Sequence, residues 1–263
     1  MKGWVKEMAE GSLDHKGRYL YAVVAGVKER DYGARGIEDG PLYAISGGEI
    51  SAVVSDVPNK KLRPERRHLA AHQAVLKLLM EENTPLPMSF GIIADGADAI
   101  KKILSLNQEA FLEQLERVSD KVEMGLRVTW DVPNIFDYFV NTHPELRSAR
   151  DRYFGTHREP SPEDKIELGR MFEHMLSEDR ENHTEEVAEI LSPCCFEIQR
   201  NKCRNEYDVM NLACLVGREK KREKAFEKGI LEAAAMFNND YAFDYNGPWA
   251  PHNFVEVDLS IDD

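Results

Sequence analysis

In the second half of the chain the spacing of apolar positions changes in a regular order, from every second residue to every third or fourth and back. Alternation predicts a strand, and the wider spacing predicts a helix with one buried side. The predicted elements are a strand over 122–130, helices over 134–154 and 163–191, strands over 195–198 and 209–216, a helix over 218–237 and a closing strand from 241. This β-α-β-β-α-β order predicts a modified ferredoxin-like sheet with its helices on one face.

The first half of the chain predicts a separate α+β domain. Its predicted elements are strands over 19–25, 42–45 and 50–55, a surface loop over 28–40, a helix from Pro64 whose apolar stripe begins at Leu69, an extended edge segment over 85–91, and two further helices before residue 120. A Ser-Gly-Gly-Glu sequence at 46–49 predicts a tight hairpin between the second and third strands.

The two patterns together predict the domain organisation of an α+β protein. Residues 1–17 are polar and aperiodic, so we expect a flexible N-terminal extension there. An N-terminal α+β domain follows over 18–120. The C-terminal ferredoxin-like domain, with an extended helical crossover, is predicted over 121–263.

The stretch 241–259 closes the predicted fold with two alternating apolar runs around a Gly-Pro-Trp-Ala-Pro turn. In the first run, 241–245, three aromatic residues share one face of a strand. The second run, 254–259, has the period of a strand that re-enters a sheet. Proline removes donors from a hydrogen-bond ladder, so an outer strand is predicted. The rigid turn makes Trp249 a candidate for contact with a partner.

Composition and charge restrict the classes of function. The chain has 263 residues, of which 42% are hydrophobic and 31% charged, and its net charge is −13. This charge argues against a nucleic-acid surface and against an anionic membrane surface, since both require basic patches. The sequence has neither an apolar run of membrane-spanning length nor a signal-peptide core, so we expect a cytoplasmic protein whose four cysteines are reduced.

The sequence contains none of the common catalytic or phosphate-binding motifs. His68 and His72 have the i, i+4 spacing of two metal ligands, but a third ligand is not evident. Hydrogen-bonded structural imidazoles are the favoured interpretation. Cys203 lies among charged residues, which favours a salt-bridged loop over a nucleophile. We therefore predict no catalytic residue, no metal site and no cofactor.

Ten acidic residues lie between Glu163 and Glu189, against three basic ones. Acid–base catalysis by such a set requires burial that raises one pKa. On the outer side of an amphipathic helix the carboxylates form a solvated face instead. That face is also a potential docking surface sensitive to salt, for which Glu163 and Glu167 are the candidate contacts.

Blocks of sequence spread over about residues 18–259 resemble the gas vesicle protein F/L family. They are YLYAVV at 19–24, ISAVVS at 50–55, RHLAAHQAVL at 67–76, LPMSFG at 86–91, VTWD at 128–131, MNLACLV at 210–216 and YNGPWAPHNFV at 245–255. No single block is specific by itself; the blocks are specific together, because they occur in the family's order along nearly the whole chain.

The resemblance implies a minor, non-enzymatic component of the gas vesicle, which is a gas-filled protein shell inside some prokaryotic cells. Such a component binds the small hydrophobic shell protein and other accessory proteins. It assists nucleation or assembly by preventing aggregation of the shell protein. The resemblance also implies two α+β domains, the second of them modified ferredoxin-like, and supplies no catalytic or cofactor-binding residues.

A physical mechanism for this activity is a hypothesis at this point. A strongly apolar shell subunit is an aggregation hazard before assembly. A soluble acidic protein can cover it with a sheet edge and an aromatic anchor. The candidate contacts are Pro87 and Phe90 in the extended segment and Tyr245, Trp249 and Phe254 in the closing stretch.

Two other classes of function stay open at this stage. A ferredoxin-like small-ligand-binding or regulatory protein requires a pocket lined by convergent polar groups. An enzyme of unrecognised type requires a cleft with a buried carboxylate or histidine whose pKa is strongly shifted.

Overall fold

The computed structural model describes residues 16–26, 28–155, 159–257 and 259, and in them the chain divides into two units. One unit contains 16–121 together with 249–259, and the other contains 122–248. The predicted second domain ran to the end of the chain, whereas the final stretch belongs with the first unit. Of the predicted N-terminal extension, residues 1–15 lie outside the described part, and Lys16 and Gly17 already belong to the first strand.

An antiparallel sheet forms the first unit, with strand β1, Lys16–Ala25, at its centre. The strand order is β2-β3-β4-β1-β5, and β6 also pairs with β1. The other strands are β2, Arg30–Arg35; β3, Pro41–Ser46; β4, Ile50–Pro58; β5, Leu86–Pro87; and β6, Ile93–Ala94. Strands β1 and β4 are almost wholly buried, which explains why both read as continuous apolar runs.

Strand β2 corrects the prediction of a surface loop over 28–40. It pairs with β3, with Arg30 opposite Ala44, at the outer edge of the sheet. Its side chains are exposed or half-buried, so burial imposes no apolar alternation on this strand. The predicted hairpin between β3 and β4 is confirmed, and its Gly48 has a φ of +102°, which favours glycine.

Three helices complete the first unit: α1, Arg66–Met80; α2, Gly96–Leu106; and α3, Gln108–Val118. Helix α1 begins two residues later than Pro64. The prediction that Leu69 opens its buried stripe is wrong, because Leu69 is 41% exposed and His68 is buried in its place. The other predicted positions of the stripe, His72, Val75, Leu76 and Leu79, are buried as expected.

The second unit has the predicted ferredoxin-like order. Its strands are β7, Lys121–Trp130; β8, Glu197–Arg200; β9, Asp208–Gly217; and β10, Tyr241–Trp249. They lie in the order β10-β7-β9-β8, so the first strand of the unit is central and the fourth is at an edge. This arrangement confirms the β-α-β-β-α-β prediction.

Four helices connect these strands: α4, Ile135–Thr142; α5, Pro144–Phe154; α6, Pro162–Leu191; and α7, Lys220–Ala234. The predicted helix over 134–154 is divided at His143, because Pro144 opens a new helix at its first position. Helix α6 begins with a capping box between Ser161 and Asp164. Alternate residues of β7, from Met124 to Trp130, pack in one core with all four helices.

After β10 the chain forms a short 3₁₀ turn, His252–Phe254. The prediction that residues 254–259 re-enter a sheet is wrong, since the described residues of this run form no strand. Alternation here reflects burial of Phe254, which is 1% exposed, within a turn. Ala250 joins the core of the first unit.

The turn is also anchored by a pair of histidines within the first unit. The imidazole of His252 lies 6.4 Å, centroid to centroid, from that of His72 on α1. His72 Nδ1 is hydrogen-bonded to the hydroxyl of Tyr19 at 2.9 Å, and this hydroxyl accepts the Gly91 N–H. Burial lowers the pKa of His72 to about 4, with a further contribution from His252, whose own pKa burial also lowers.

Gly247 in β10 provides a test of how closely this strand approaches β7. Its φ is +129°, and a Cβ atom would lie 2.8 Å from the Met124 sulfur and 2.9 Å from the Glu123 carbonyl oxygen. We expect Gly247→Ala to lower the free energy of unfolding by about 2–4 kcal/mol in urea titrations. The control is Gly169→Ala in helix α6, where no atom lies within 4 Å of the added Cβ. This change should raise the free energy of unfolding by about 0.5–1 kcal/mol, because alanine favours the helix more than glycine does. Equal effects of the two changes would contradict the close approach.

The buried histidines predict loss of stability in acid. A histidine whose folded-state pKa lies below its unfolded value binds more protons when unfolded, so stability decreases as pH falls from about 6.5 towards 4. For His72 the loss amounts to about 2 kcal/mol at pH 5. Urea unfolding between pH 7 and 5 measures it, and His72→Gln should flatten the profile. His174→Gln, on the exposed side of α6, is the control; a profile that His72→Gln leaves unchanged would contradict the assignment.

Candidate partner-binding site

Strand β10 is an outer strand of the second sheet, and its first half is packed into the core. Tyr241 and Phe243 are half-buried, and both rings contact Phe237 at centroid distances of 4.9 and 5.2 Å. The Tyr241 hydroxyl is hydrogen-bonded to His183 Nε2 at 3.1 Å. These contacts fix the start of the strand and the direction in which it leaves the helices.

The second half of β10 carries its aromatic side chains at the surface. Tyr245 lies on the same face as Tyr241 and Phe243 by strand alternation, yet it is 44% exposed. Trp249, the last residue of the strand, is 42% exposed. Exposed aromatic rings on an ordered edge strand are the kind of surface that binds another chain.

The structure separates the five apolar contact candidates into two groups. Tyr245 and Trp249 are accessible to a partner. Phe254 is 1% exposed, Pro87 is buried opposite Ala22 of β1, and the half-buried ring of Phe90 packs edge-on against Tyr19 and His72. Because the side chains of Pro87 and Phe90 pack into the interior, the extended segment 85–91 offers little surface as a docking edge.

The acidic candidates Glu163 and Glu167 are exposed in the first turns of α6. Glu167 is 4.0 Å from Arg170. Farther along the helix Asp179 pairs with His143 and Glu181 with Arg200. The predicted solvated acidic face is therefore present, and a few of its members are bound within the fold.

Sequence reasoning missed a buried ion pair in the second sheet. Asp208 has no exposed side-chain surface, and Arg127 of β7 donates to it from Nε at 2.9 Å. Burial by itself raises the pKa of this carboxyl. Hydrogen bonds from the Arg204 N–H and from Arg127 lower the pKa by a larger total amount, so the net shift is downward. Charges of opposite sign separated by 81 positions in the chain leave no local signal that could reveal the pair.

The loop that contains Cys203 is held by hydrogen bonds to its backbone. The guanidinium of Arg180 donates to the carbonyl oxygens of Asn205, Glu206 and Asp208. Burial raises the pKa of the Cys203 thiol, which disfavours the reactive thiolate. This arrangement agrees with a structural loop.

Both histidines of the i, i+4 pair have hydrogen-bond partners. His68 bonds the Arg63 carbonyl oxygen through Nδ1 at 2.9 Å and Glu38 through Nε2 at 2.8 Å. His72 bonds Tyr19, as described above. Within the part of the chain that the structure describes, no three His, Cys, Asp or Glu residues are grouped so as to hold a metal ion.

The carboxyl groups with displaced pKa values are stabilised in the ionised form. A hydrogen bond from His68 lowers the pKa of Glu38, and one from Arg30 lowers that of Glu82. Together with Asp208 these groups are poor proton donors at neutral pH. Among the described residues, no helix combines the length and the apolar character needed to cross a bilayer.

Comparison with known proteins identifies a family. The model of the family described as gas vesicle synthesis protein GvpL/GvpF matches residues 17–256. Gas vesicle protein F of Streptomyces sp. (strain CB03234) is 29% identical over 218 residues, which are 82% of this chain and 88% of that protein. Gas vesicle protein L1 of Halobacterium salinarum is 29% identical over 144 residues, 52% of this chain and 51% of its own length.

Solved structures show the same fold. The crystal structure of GvpF from Anabaena sp. PCC7120 matches with a TM-score of 0.76 and 21% identity, covering 92% of this chain and 99% of that one. GvpF from Microcystis aeruginosa matches with a TM-score of 0.74, 20% identity and the same coverage. Because the family model extends over nearly all of the sequence, the chain belongs to the GvpL/GvpF family and is a gas vesicle component.

Proposed function

We propose that this chain is a non-enzymatic cytoplasmic assembly factor that binds the hydrophobic shell protein of the gas vesicle. By covering apolar surface of the shell protein before assembly, it prevents aggregation and assists nucleation of the vesicle. Membership of the GvpL/GvpF family supports the setting. The exposed outer half of β10 is the single observation that carries the mode of binding.

An edge strand binds an extended segment through its unpaired backbone groups and selects it through side-chain contacts. On β10 the side chains available for this purpose are Tyr245 and Trp249. The start of the strand is already ordered by the packing of Tyr241 in the core of the second unit. Binding therefore costs less conformational entropy than ordering a loose segment would.

The negative charge of the chain supports a role as a solubilising partner. A net charge of −13 is carried by a surface on which α6 alone presents a row of exposed carboxylates. Once apolar subunits are bound, repulsion between like-charged complexes opposes their association. Glu163 and Glu167 remain the proposed contacts for other gas vesicle accessory proteins.

A small-ligand function finds less support in the structure. A concave surface of about 1050 Å³ runs along α3 in the first unit. Its acidic residues Glu109, Glu113 and Glu116 are exposed side chains on a helix. Such groups point into solvent rather than converge on an enclosed ligand.

The proposed function is tested by co-expression and pull-down with the small shell protein at low salt and at 1 M NaCl. Apolar and backbone contacts persist in high salt, whereas exposed charge pairs are screened. We expect salt-resistant binding by the natural chain. Removal of both exposed rings, by Tyr245→Ser with Trp249→Ala, should weaken binding by about 2 kcal/mol or more.

The matched control is Leu231→Ser, which removes a 71% exposed apolar side chain from α7 and leaves β10 unchanged in sequence. Binding should be unchanged in this variant. Salt-resistant capture that survives the Tyr245 and Trp249 changes would contradict the role of β10. Failure to capture the shell protein at either salt would contradict the proposed function.

A further inference from the structure

The second sheet has another outer strand, β8, and a groove of about 430 Å³ lies between it and the end of α6. The groove is built entirely within the second unit. Its lining residues are Glu185, Ala188, Glu189 and Ser192 from the helix side, and Cys195, Phe196, Glu197, Ile198 and Arg200 along the strand. Phe196 is 58% exposed, so the groove combines an apolar ring with several carboxylates.

The backbone of β8 is arranged to accept another strand. Asn201 N–H donates to the Asn211 carbonyl oxygen at 2.7 Å, and Arg200 lies opposite Leu212 in the antiparallel register. Because hydrogen-bonded and non-hydrogen-bonded pairs alternate in such a ladder, the N–H and C=O groups of Ile198 and Arg200 point away from β9. Within the described part of the chain no strand pairs with β8 on this side, so these backbone groups form an open edge of the sheet.

Negative charge dominates the helix side of the groove. Glu185 and Glu189 are both exposed, one turn apart, and among the described residues neither forms a salt bridge. Glu197 adds a third exposed carboxylate from the strand. The one basic residue of the lining, Arg200, is already paired with Glu181 of α6.

This placement of acids is unfavourable for the helix itself. Like charges at i, i+4 repel each other, and carboxylates near a helix C-terminus face the negative end of the helix dipole. The last turn of α6 contains no basic residue to offset either effect. A cation in the groove would relieve both.

We propose that this groove docks an extended, basic segment of another protein. The segment pairs with the outward backbone groups of Ile198 and Arg200 as an additional strand. Ile198 packs on the helix-covered face of the sheet. Every second side chain of the added strand therefore lies on that same face, next to α6. Lysine or arginine at those positions meets Glu185 and Glu189, and an apolar side chain covers Phe196.

The test uses the full chain and a short fluorescein-labelled peptide with lysine at alternate positions, threonine and valine between them. Fluorescence anisotropy at low salt should show binding, and a peptide with glutamate in place of lysine should not bind. The double change Glu185→Gln and Glu189→Gln should weaken binding about ten-fold, which corresponds to the combined binding free energy of two exposed ion pairs. Equal binding of both peptides would overturn the proposal.

Two matched controls separate the groove from general acidity. Glu163→Gln with Glu167→Gln removes the same charge from the other end of α6 and should leave peptide binding nearly unchanged. An equal loss in this variant would mean that only overall charge matters, and would overturn the proposal. The Tyr245 and Trp249 variants should bind the peptide normally, so failure here is distinguishable from failure of the proposed function.

The strand-pairing component is tested by comparing Arg200→Pro with Arg200→Gln. Both remove the pair with Glu181, but only proline removes the outward N–H, and the ladder to β9 is retained. We expect weaker peptide binding in Arg200→Pro than in Arg200→Gln. Hydrogen exchange should show protection of the Ile198 amide on binding in the natural chain. Equal affinities together with an unprotected amide would overturn the strand geometry.

Discussion

Packing of aromatic and apolar side chains into the core of each unit is the constraint on which the rest of the structure depends. Ala250 and Phe254 are almost fully buried, and His252 lies beside His72. The preceding strand starts from an equally fixed point, since Tyr241 packs among aromatic rings of the second core. Tyr245, farther along the same strand, is exposed, and a side chain on a strand that is already ordered binds without a large entropic cost.

The strand order of the second sheet decides which backbone is available for binding. In the order β10-β7-β9-β8 the two most buried strands, β7 and β9, are interior, and β10 and β8 are the two edges. Exposed edges are a hazard because they pair with other chains. The two edges differ in chemistry: aromatic rings accompany β10, whereas carboxylates accompany β8.

The strongly periodic elements could be predicted from the sequence because their burial is one-sided or complete. Strand β7 alternates towards a single core, and β9 is buried on both faces, so each leaves a clear pattern. Strand β2 was missed because it is held by backbone pairing at an edge and buries little. The first position of the α1 stripe was predicted wrongly because His68 is buried through hydrogen bonds, which apolar spacing does not reveal.

Much less of the candidate site was predictable. Tyr245 and Phe254 belong to the same kind of aromatic pattern in the closing stretch, yet Tyr245 is exposed and Phe254 is buried. The difference arises because exposure depends on which other parts of the fold pack against each ring. Pro87 was likewise expected at an accessible edge, and pairing with β1 places it inside. The sequence identifies these residues as candidates, but only tertiary packing shows which of them are buried in a core and which are exposed for contact with a partner.

In helix α6 a glutamate side chain contributes differently to stability depending on which end of the helix it occupies. At the start of α6, Glu163 lies next to a complete capping box, where the helix dipole stabilises a carboxylate. At the other end, Glu185 and Glu189 face both each other and the negative end of the dipole. A basic partner relieves an i, i+4 repulsion at either end, but only at the C-terminal end does it also offset the negative end of the helix dipole. Charge counting along the sequence treats the two ends as equal, and the direction of the helix makes the C-terminal end the stronger cation-binding position.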